Sequence, residues 1–239
     1  MFMSTGQMYG NNPAPSPPAN PITYINRVVG ALSNPGGSPN TLTYANAPIA
    51  TGASDVVVVG IIRESSFGST SIGVTVDATA ATLWSPGQIG LGGAIGAWIE
   101  FYYCQPGALA TANIVFSASA AGTGAAIFVW VLNGTTATPL DVVSSAQASS
   151  TTVALNDIET EASGAVIALG MCTPTITGWT EAWSGSETVT EDADVTSATG
   201  NNRIVACHFA TTSALTTQDL TLTLSASQAH IGGAISFGP

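Results

Sequence analysis

Short apolar runs separated by turn residues dominate the sequence from Thr41 onward. Runs of Val, Ile, Thr, Phe and Tyr are interrupted about every eight to twelve residues by Gly, Ser, Asn or Pro, a spacing typical of an antiparallel β-sandwich. Helix formers other than Ala are scarce. The pattern predicts strands at residues 55–64, 71–77, 97–104, 112–118, 125–132, 165–172, 203–209, 220–226 and 229–237.

The sharpest alternation lies near the C-terminus. Leu220, Leu222 and Leu224 alternate with Thr221 and Thr223. Because successive side chains of a strand point to opposite faces of a sheet, the leucines are predicted to face a core and the threonines to face water.

Residues 1–40 differ from the rest of the chain and are predicted to form an extended, proline-rich arm ahead of a β-sandwich domain at residues 41–239. Prolines exclude a continuous helix or an inner strand and favour a polyproline-like conformation. An ordered arm of this kind lies against its own domain or against a neighbouring subunit, and the second arrangement indicates an assembly. The residues predicted to make assembly contacts are Pro13, Pro15, Pro17, Pro18, Pro21, Tyr24, Ile25 and Asn26.

Two parts of the domain resemble each other. Residues 97–132 run strand, turn, a strand ending in FSAS and a further strand, and residues 203–237 repeat this order with a strand ending in LSAS. Two related halves are therefore expected. Since each half alone would expose sheet edges and an apolar face, we expect one all-β, antiparallel sandwich of jelly-roll or Ig-like type.

The charge balance excludes several classes of partner. The chain has a net charge of −11, with three Lys and Arg residues in total, all of them arginine. Nucleic acids and anionic membrane surfaces need clustered basic residues, so neither is an expected partner. The mean hydropathy is +0.36, but no apolar run approaches the ~20 residues that span a bilayer. No secretion signal is recognisable at the N-terminus, which predicts a protein kept in the cytoplasm until assembly.

The cysteines and histidines do not form a reactive pattern. Cys104, Cys172 and Cys207 are widely spaced within apolar runs, which favours buried small side chains over disulfides or a metal site. Cys207 and His208 are adjacent on a predicted strand and must point to opposite faces. His208 and His230 are best interpreted as packing residues of the core or its rim.

Acidic residues cluster between Glu181 and Asp194. Paired carboxylates of a glycan-cleaving enzyme or an oxygen cage for calcium would need such density. No complete calcium-loop motif is present, so a solvated loop is the favoured interpretation. No catalytic residue, cofactor or metal ligand is predicted.

The tryptophans divide into two groups. Trp98 and Trp130 lie within apolar strand patterns and are predicted to pack in the core. Trp179 and Trp183 are flanked by Gly, Thr, Glu and Ser. They are the candidates for contact with a glycan or another partner.

Several segments together have a recognisable order. In the first part of the domain they are 55–60 (DVVVVG), 97–108 (AWIEFYYCQPGA), 112–117 (ANIVFS), 126–134 (AIFVWVLNG) and 138–141 (TPLD), and in the second part they are 164–170 (GAVIALG), 178–183 (GWTEAW) and 229–239 (AHIGGAISFGP). Their strand order and turns resemble a β-sandwich module of tailed-bacteriophage virion proteins. The resemblance covers residues 41–239 and includes no catalytic motif. In such relatives the module decorates heads or builds tail and fibre parts.

The resemblance implies a non-enzymatic structural component of a virion, assembled in the host cytoplasm. A capsid decoration, cement or head-associated protein anchored by its arm is the leading hypothesis, and its partners would be other virion proteins and copies of itself. The alternative is a tail or fibre protein that binds host surface glycans. A glycan-cleaving enzyme that uses the acids of residues 181–194 is the least favoured.

Overall fold

The computed structural model describes residues 22–30, 40–66, 71–84, 95–119, 124–173, 178–197 and 202–239. Every regular element in these ranges is a β-strand. The strands are β1 (Ile22–Gly30), β2 (Asn40–Ala47), β3 (Val56–Ser66), β4 (Ser71–Val76), β5 (Thr79–Ala80), β6 (Thr82–Trp84), β7 (Ile95–Cys104), β8 (Ala112–Ala118), β9 (Gly124–Leu132), β10 (Pro139–Thr160), β11 (Ala165–Thr173), β12 (Trp179–Trp183), β13 (Thr190–Thr196), β14 (Arg203–Ala210) and β15 (Leu215–Phe237).

These strands form three antiparallel sheets. Sheet 1 has the order β1-β9-β3-β7-β6, and sheet 2 has the order β2-β8-β4-β5. Sheet 3 has the order β10-β15-β11-β14-β13, with β12 also paired to β15. The all-β, antiparallel prediction is confirmed, and the stacked sheets are consistent with a β-sandwich. No helix in the described part of the chain could serve as a membrane span.

Sheet 1 is buried on both faces. Val56 and Val58 of β3 pack into an apolar cluster that continues into sheet 3 through Leu169. Val57 and Val59 of the same strand point the other way, into a cluster shared with sheet 2. A strand covered on both faces needs apolar residues at every position, which explains the unbroken run of valines in β3.

Sheet 3 bends so that its long strands cover one of its own faces. The first part of β15 pairs with β12 and the last part pairs with β11. Leu222 of β15 packs with Val166 and Val205 in a third apolar cluster, and a Cβ built on Gly170 would lie 2.9 Å from Leu222 Cδ1. The stack therefore has more layers than the two of a simple sandwich. The predicted alternation along β15 is confirmed, because Leu222 and its neighbours at 220 and 224 are buried.

The N-terminal region differs from the predicted division at residue 40. Residues 22–30 form β1, the outer strand of sheet 1, which pairs with β9 from one end to the other around a single bulge. Ile22 is buried. This nine-residue segment contains no proline, so each residue keeps the N–H that a strand needs. The arm prediction therefore has to be corrected here, since β1 belongs to the folded body.

Candidate functional site

The two tryptophans predicted as a contact surface lie on β12. Among the described strands β12 pairs only with β15, and Trp179 and Trp183 lie opposite Leu224 and Leu220. Trp179 is only 6% exposed and belongs to the third apolar cluster. Its Nε1 is buried without a hydrogen-bond partner among the described residues. Most of this indole is therefore held in the core and is not presented to a ligand.

A shallow groove of about 300 Å³ lies beside Trp179. Hydroxyl-bearing, small and apolar residues line it, namely Gly178, Trp179, Thr180, Thr223, Leu224 and Ser225. None of these side chains is charged. A groove with this lining suits a small neutral ligand that forms hydrogen bonds with hydroxyl groups.

The acidic stretch does not behave as one solvated loop. Glu181 lies on β12, whereas Glu191 and Asp194 lie on β13. Burial, followed by the nearby Glu191 carboxylate, raises the pKa of Glu181 above its ordinary value. Arg203 donates a hydrogen bond from Nε to Asp194. Within the described ranges, no group of three or more His, Cys, Asp or Glu side chains is placed to hold a metal ion.

Asp192 joins sheet 1 to sheet 3. It lies at a β-bulge in β13, and its Oδ2 accepts a hydrogen bond of 2.8 Å from Trp130 Nε1 on β9. Its Oδ1 lies 2.7 Å from His208 Nδ1, and the Asp192 and His208 side chains are 3% and 9% exposed. The Tyr24 ring of β1 packs 5.7 Å from the Trp130 ring. Asp192 therefore connects β13, β9 and β14 at one junction, and Trp130 extends this junction to β1.

A second buried polar network centres on Glu100. Its carboxylate accepts hydrogen bonds from Ser71 Oγ at 2.7 Å and from the Tyr102 hydroxyl at 3.0 Å. Arg63 is fully buried, with Nη2 4.0 Å from Glu100 Oε1 and its guanidinium 4.4 Å from the Trp98 ring centroid. Burial lowers the pKa of Arg63, whereas burial and the Glu100 carboxylate raise the pKa of Tyr102. Buried charges need such partners.

The histidines have packing roles. Cys207 points into the third apolar cluster while His208 reaches Asp192, so the prediction that they face opposite sides of the sheet is confirmed. His230 is fully buried. Its Nδ1 lies 3.1 Å from the Gln228 carbonyl oxygen and donates to it, whereas Nε2 has no partner among the described residues. All three cysteines are buried and form no disulfide, as predicted.

The predicted arm contacts fall into two groups. Tyr24, Ile25 and Asn26 lie on β1, where Ile25 packs against the cluster between sheets 1 and 2. Burial raises the pKa of Tyr24. The remaining predicted contacts lie outside the described residues, namely Pro13, Pro15, Pro17, Pro18 and Pro21.

Sequence reasoning did not identify Arg63, Glu100 or Asp192 as interacting residues. The available signal for Glu100 is one charged residue inside an otherwise apolar strand, and the signal for Arg63 is a charged residue directly after a long apolar run. Neither a family model nor a curated protein nor a solved structure matches this chain.

Proposed function

We propose that this chain is a non-enzymatic structural component of a bacteriophage virion. In this proposal it is a capsid decoration or head-associated protein that the N-terminal residues anchor to neighbouring subunits. Its partners are other virion proteins and copies of itself, and it assembles in the host cytoplasm. The strand order of the sheets supports the proposal, together with the sequence resemblance described above.

Sheets 1 and 2 have the connectivity on which the proposal depends. β1, β3, β7 and β9 lie in sheet 1, whereas β2, β4 and β8 lie in sheet 2, so the long strands alternate between two facing sheets. The orders β1-β9-β3-β7 and β2-β8-β4-β5 correspond to a jelly roll. Jelly rolls recur in viral capsid domains and in lectins. Because one fold serves many functions, the virion assignment also needs the sequence resemblance.

We also propose that sheet 3 is a second jelly roll related to the first. Its order β10-β15-β11-β14 corresponds to β1-β9-β3-β7 in sheet 1. The pairing registers agree as well. A shift of 107 residues converts the sheet 1 pairs Gly60–Phe101 and Gly60–Phe128 into the sheet 3 pairs Ile167–His208 and Ile167–Ile235.

The packing of sheet 1 on sheet 3 supports the same relationship. Trp130 of β9 contacts Asp192 of β13, and the Tyr103 ring of β7 lies 6.2 Å from the Phe237 ring of β15. Strand β3 lies over its counterpart β11. The two proposed halves thus face each other about an approximate twofold axis, as two subunits of a dimer would.

Deleting residues 2–20 tests the anchoring role and leaves β1 intact. We expect the purified variant to unfold at the same temperature as the full chain but to be missing from virions produced from a genome that carries the deletion. A matched variant of full length replaces Pro13, Pro15, Pro17 and Pro18 with Ser. It keeps the length of the N-terminal segment but removes the stiffness of its prolines, so the two properties are tested separately. Normal incorporation of the deleted chain would overturn anchoring. Absence of the unaltered chain from purified virions would overturn the virion role.

The groove beside Trp179 favours a second candidate, a tail or fibre protein that binds host surface glycans. Ser225 lies in this groove, and Ala226 is the next residue on β15. If the groove binds glycan, Ser225→Arg removes binding to a glycan array without changing the melting temperature, and the control Ala226→Arg retains it. A full chain that binds no glycan on the array eliminates this candidate.

A further inference from the structure

β10 is the longest edge strand in the described part of the chain. It spans 22 residues and pairs there only with β15. Residues 142–147 keep one register with β15, without a bulge. In an antiparallel edge strand, alternate residues direct their N–H and C=O groups away from the sheet. This stretch therefore presents backbone groups that can pair with another strand.

Residues 142–147 lack the features that protect other edges. Residues 142–156 contain neither a charged residue nor a proline. By contrast, β13 carries three acids, β1 carries Arg27 and a bulge, and β6 has only three residues. β2 is also uncharged, but it is eight residues long and has a register shift near its end. Because the chain has a net charge of −11, copies approach each other with least repulsion at an uncharged edge.

We propose that two copies of this chain associate by antiparallel pairing of residues 142–146 of their β10 strands, with Ser144 of one copy opposite Ser144 of the other. Sheet 3 then continues from one copy into the other. Val142 and Val143 are half-buried at the borders of two apolar clusters, so a partner strand would cover them further. Ser144 and Ala146 are exposed and small, which allows close approach. An antiparallel pair centred on Ser144 places Ser144 opposite its own copy and Val142 opposite Ala146 of the other copy. Residues of one face then meet residues of the same face, as a twofold dimer requires. This pairing gives the self-association proposed above a defined surface. It rests on the proposed function only for its place in the virion.

Sedimentation of the purified full chain over a range of concentrations tests this pairing without virions. We expect the unaltered chain to form dimers. Ser144→Lys and Ser144→Glu each place like charges close together across the pair and weaken association at least about tenfold. An equimolar mixture of the two variants restores dimers, because the charges become opposite. Thr43→Lys, at an exposed position on the uncharged edge strand β2, is the matched control and leaves association unchanged.

Hydrogen exchange provides a measurement that does not depend on the variants. The amides of residues 142–146 that point away from β15 should be protected at high protein concentration and exchange faster on dilution. A chain that is monomeric at every concentration overturns the inference, as do Ser144 variants that dimerise normally. The deletion of residues 2–20 measures incorporation into virions independently, so failure of this pairing is distinguishable from failure of the virion role.

Discussion

Trp130 Nε1 donates a hydrogen bond of 2.8 Å to Asp192, which lies on a different sheet. The same carboxylate lies 2.7 Å from His208 Nδ1. Trp130 is fully buried, and the His208 side chain is 9% exposed. One acidic side chain thus provides the acceptor for two nearly buried groups on either side of the junction between sheets 1 and 3.

Removing this acceptor should destabilise the junction. We expect Asp192→Ala to lower the free energy of unfolding by about 2–3 kcal/mol, because two buried polar groups lose their partner. Asp192→Asn keeps an oxygen acceptor for Trp130, so it should lower the free energy of unfolding less than Asp192→Ala does. Urea unfolding monitored by tryptophan fluorescence measures both. Glu159→Ala, at an exposed position of β10, is the control, and an equal loss in this variant would contradict the assigned role.

The close contact between Gly60 and Leu169 should not tolerate an added methyl group. A Cβ on Gly60 would lie 2.7 Å from Leu169 Cδ1 and 3.0 Å from Trp130 Cζ3. We expect Gly60→Ala to cost about 1–3 kcal/mol through overpacking. Adding Leu169→Val removes the Cδ1 atom and should recover part of that loss in a double-mutant cycle.

Gly178→Ala is the matched control for this substitution. Its added Cβ would lie 3.5 Å from Asp194 Oδ2, an ordinary contact distance, so little change in stability is expected. If Gly60→Ala also left the free energy of unfolding unchanged, this result would contradict the close packing of sheets 1 and 3 at Gly60.

The Glu100 network should respond strongly to the loss of its carboxylate. Glu100→Ala leaves Ser71 and Tyr102 without this acceptor and takes one negative partner from the buried Arg63 cation. We expect a loss of about 3–5 kcal/mol, measured by chemical denaturation. The double variant Arg63→Met with Glu100→Leu removes both charges and should be more stable than Glu100→Ala. A double variant of equal or lower stability would argue against charge burial as the cause.

Trp179 should behave as a core residue. Because its indole is 6% exposed and packs in the third cluster, we expect Trp179→Ala to cost about 3–5 kcal/mol. Thermal unfolding followed by far-UV circular dichroism measures this. An unchanged melting temperature would instead indicate an indole available for ligand contact.

His230 should make stability depend on pH. Burial lowers its pKa below the ordinary value of 6.5, so the unfolded chain binds this proton more tightly than the folded protein does. As the pH falls below 6.5, His230 therefore reduces the free energy of unfolding by at most about 1.4 kcal/mol per pH unit, until the folded pKa is reached. Above this range its contribution does not change.

The measurement compares urea unfolding of the unaltered chain and of His230→Gln between pH 7.5 and 5. Other titrating groups are shared by both proteins, so the difference between the two pH profiles isolates His230. The variant should lose less stability on acidification. Parallel profiles would show that His230 titrates alike in the folded and unfolded states.

The all-β architecture and much of the strand pattern follow from the sequence. The alternation from Leu220 to Leu224 predicted the buried face of β15, and the valines of β3 predicted a strand at residues 55–64. The pattern does not predict β10, because its Ser, Ala and Thr residues give little apolar periodicity. The prolines around β1 dominate the local composition, so the pattern predicts an arm there and does not predict a strand.

By itself, the sequence determined the period of the strands, the burial of its cysteines and the opposite directions of Cys207 and His208. These properties depend on neighbours along one strand, where geometry fixes which way each side chain points. Only the tertiary structure decided that Asp192 meets Trp130, that Glu100 lies beside Arg63, and that Trp179 turns into the core. Such contacts join strands far apart in the chain, and their partners are set by how the sheets stack and where bulges shift the register.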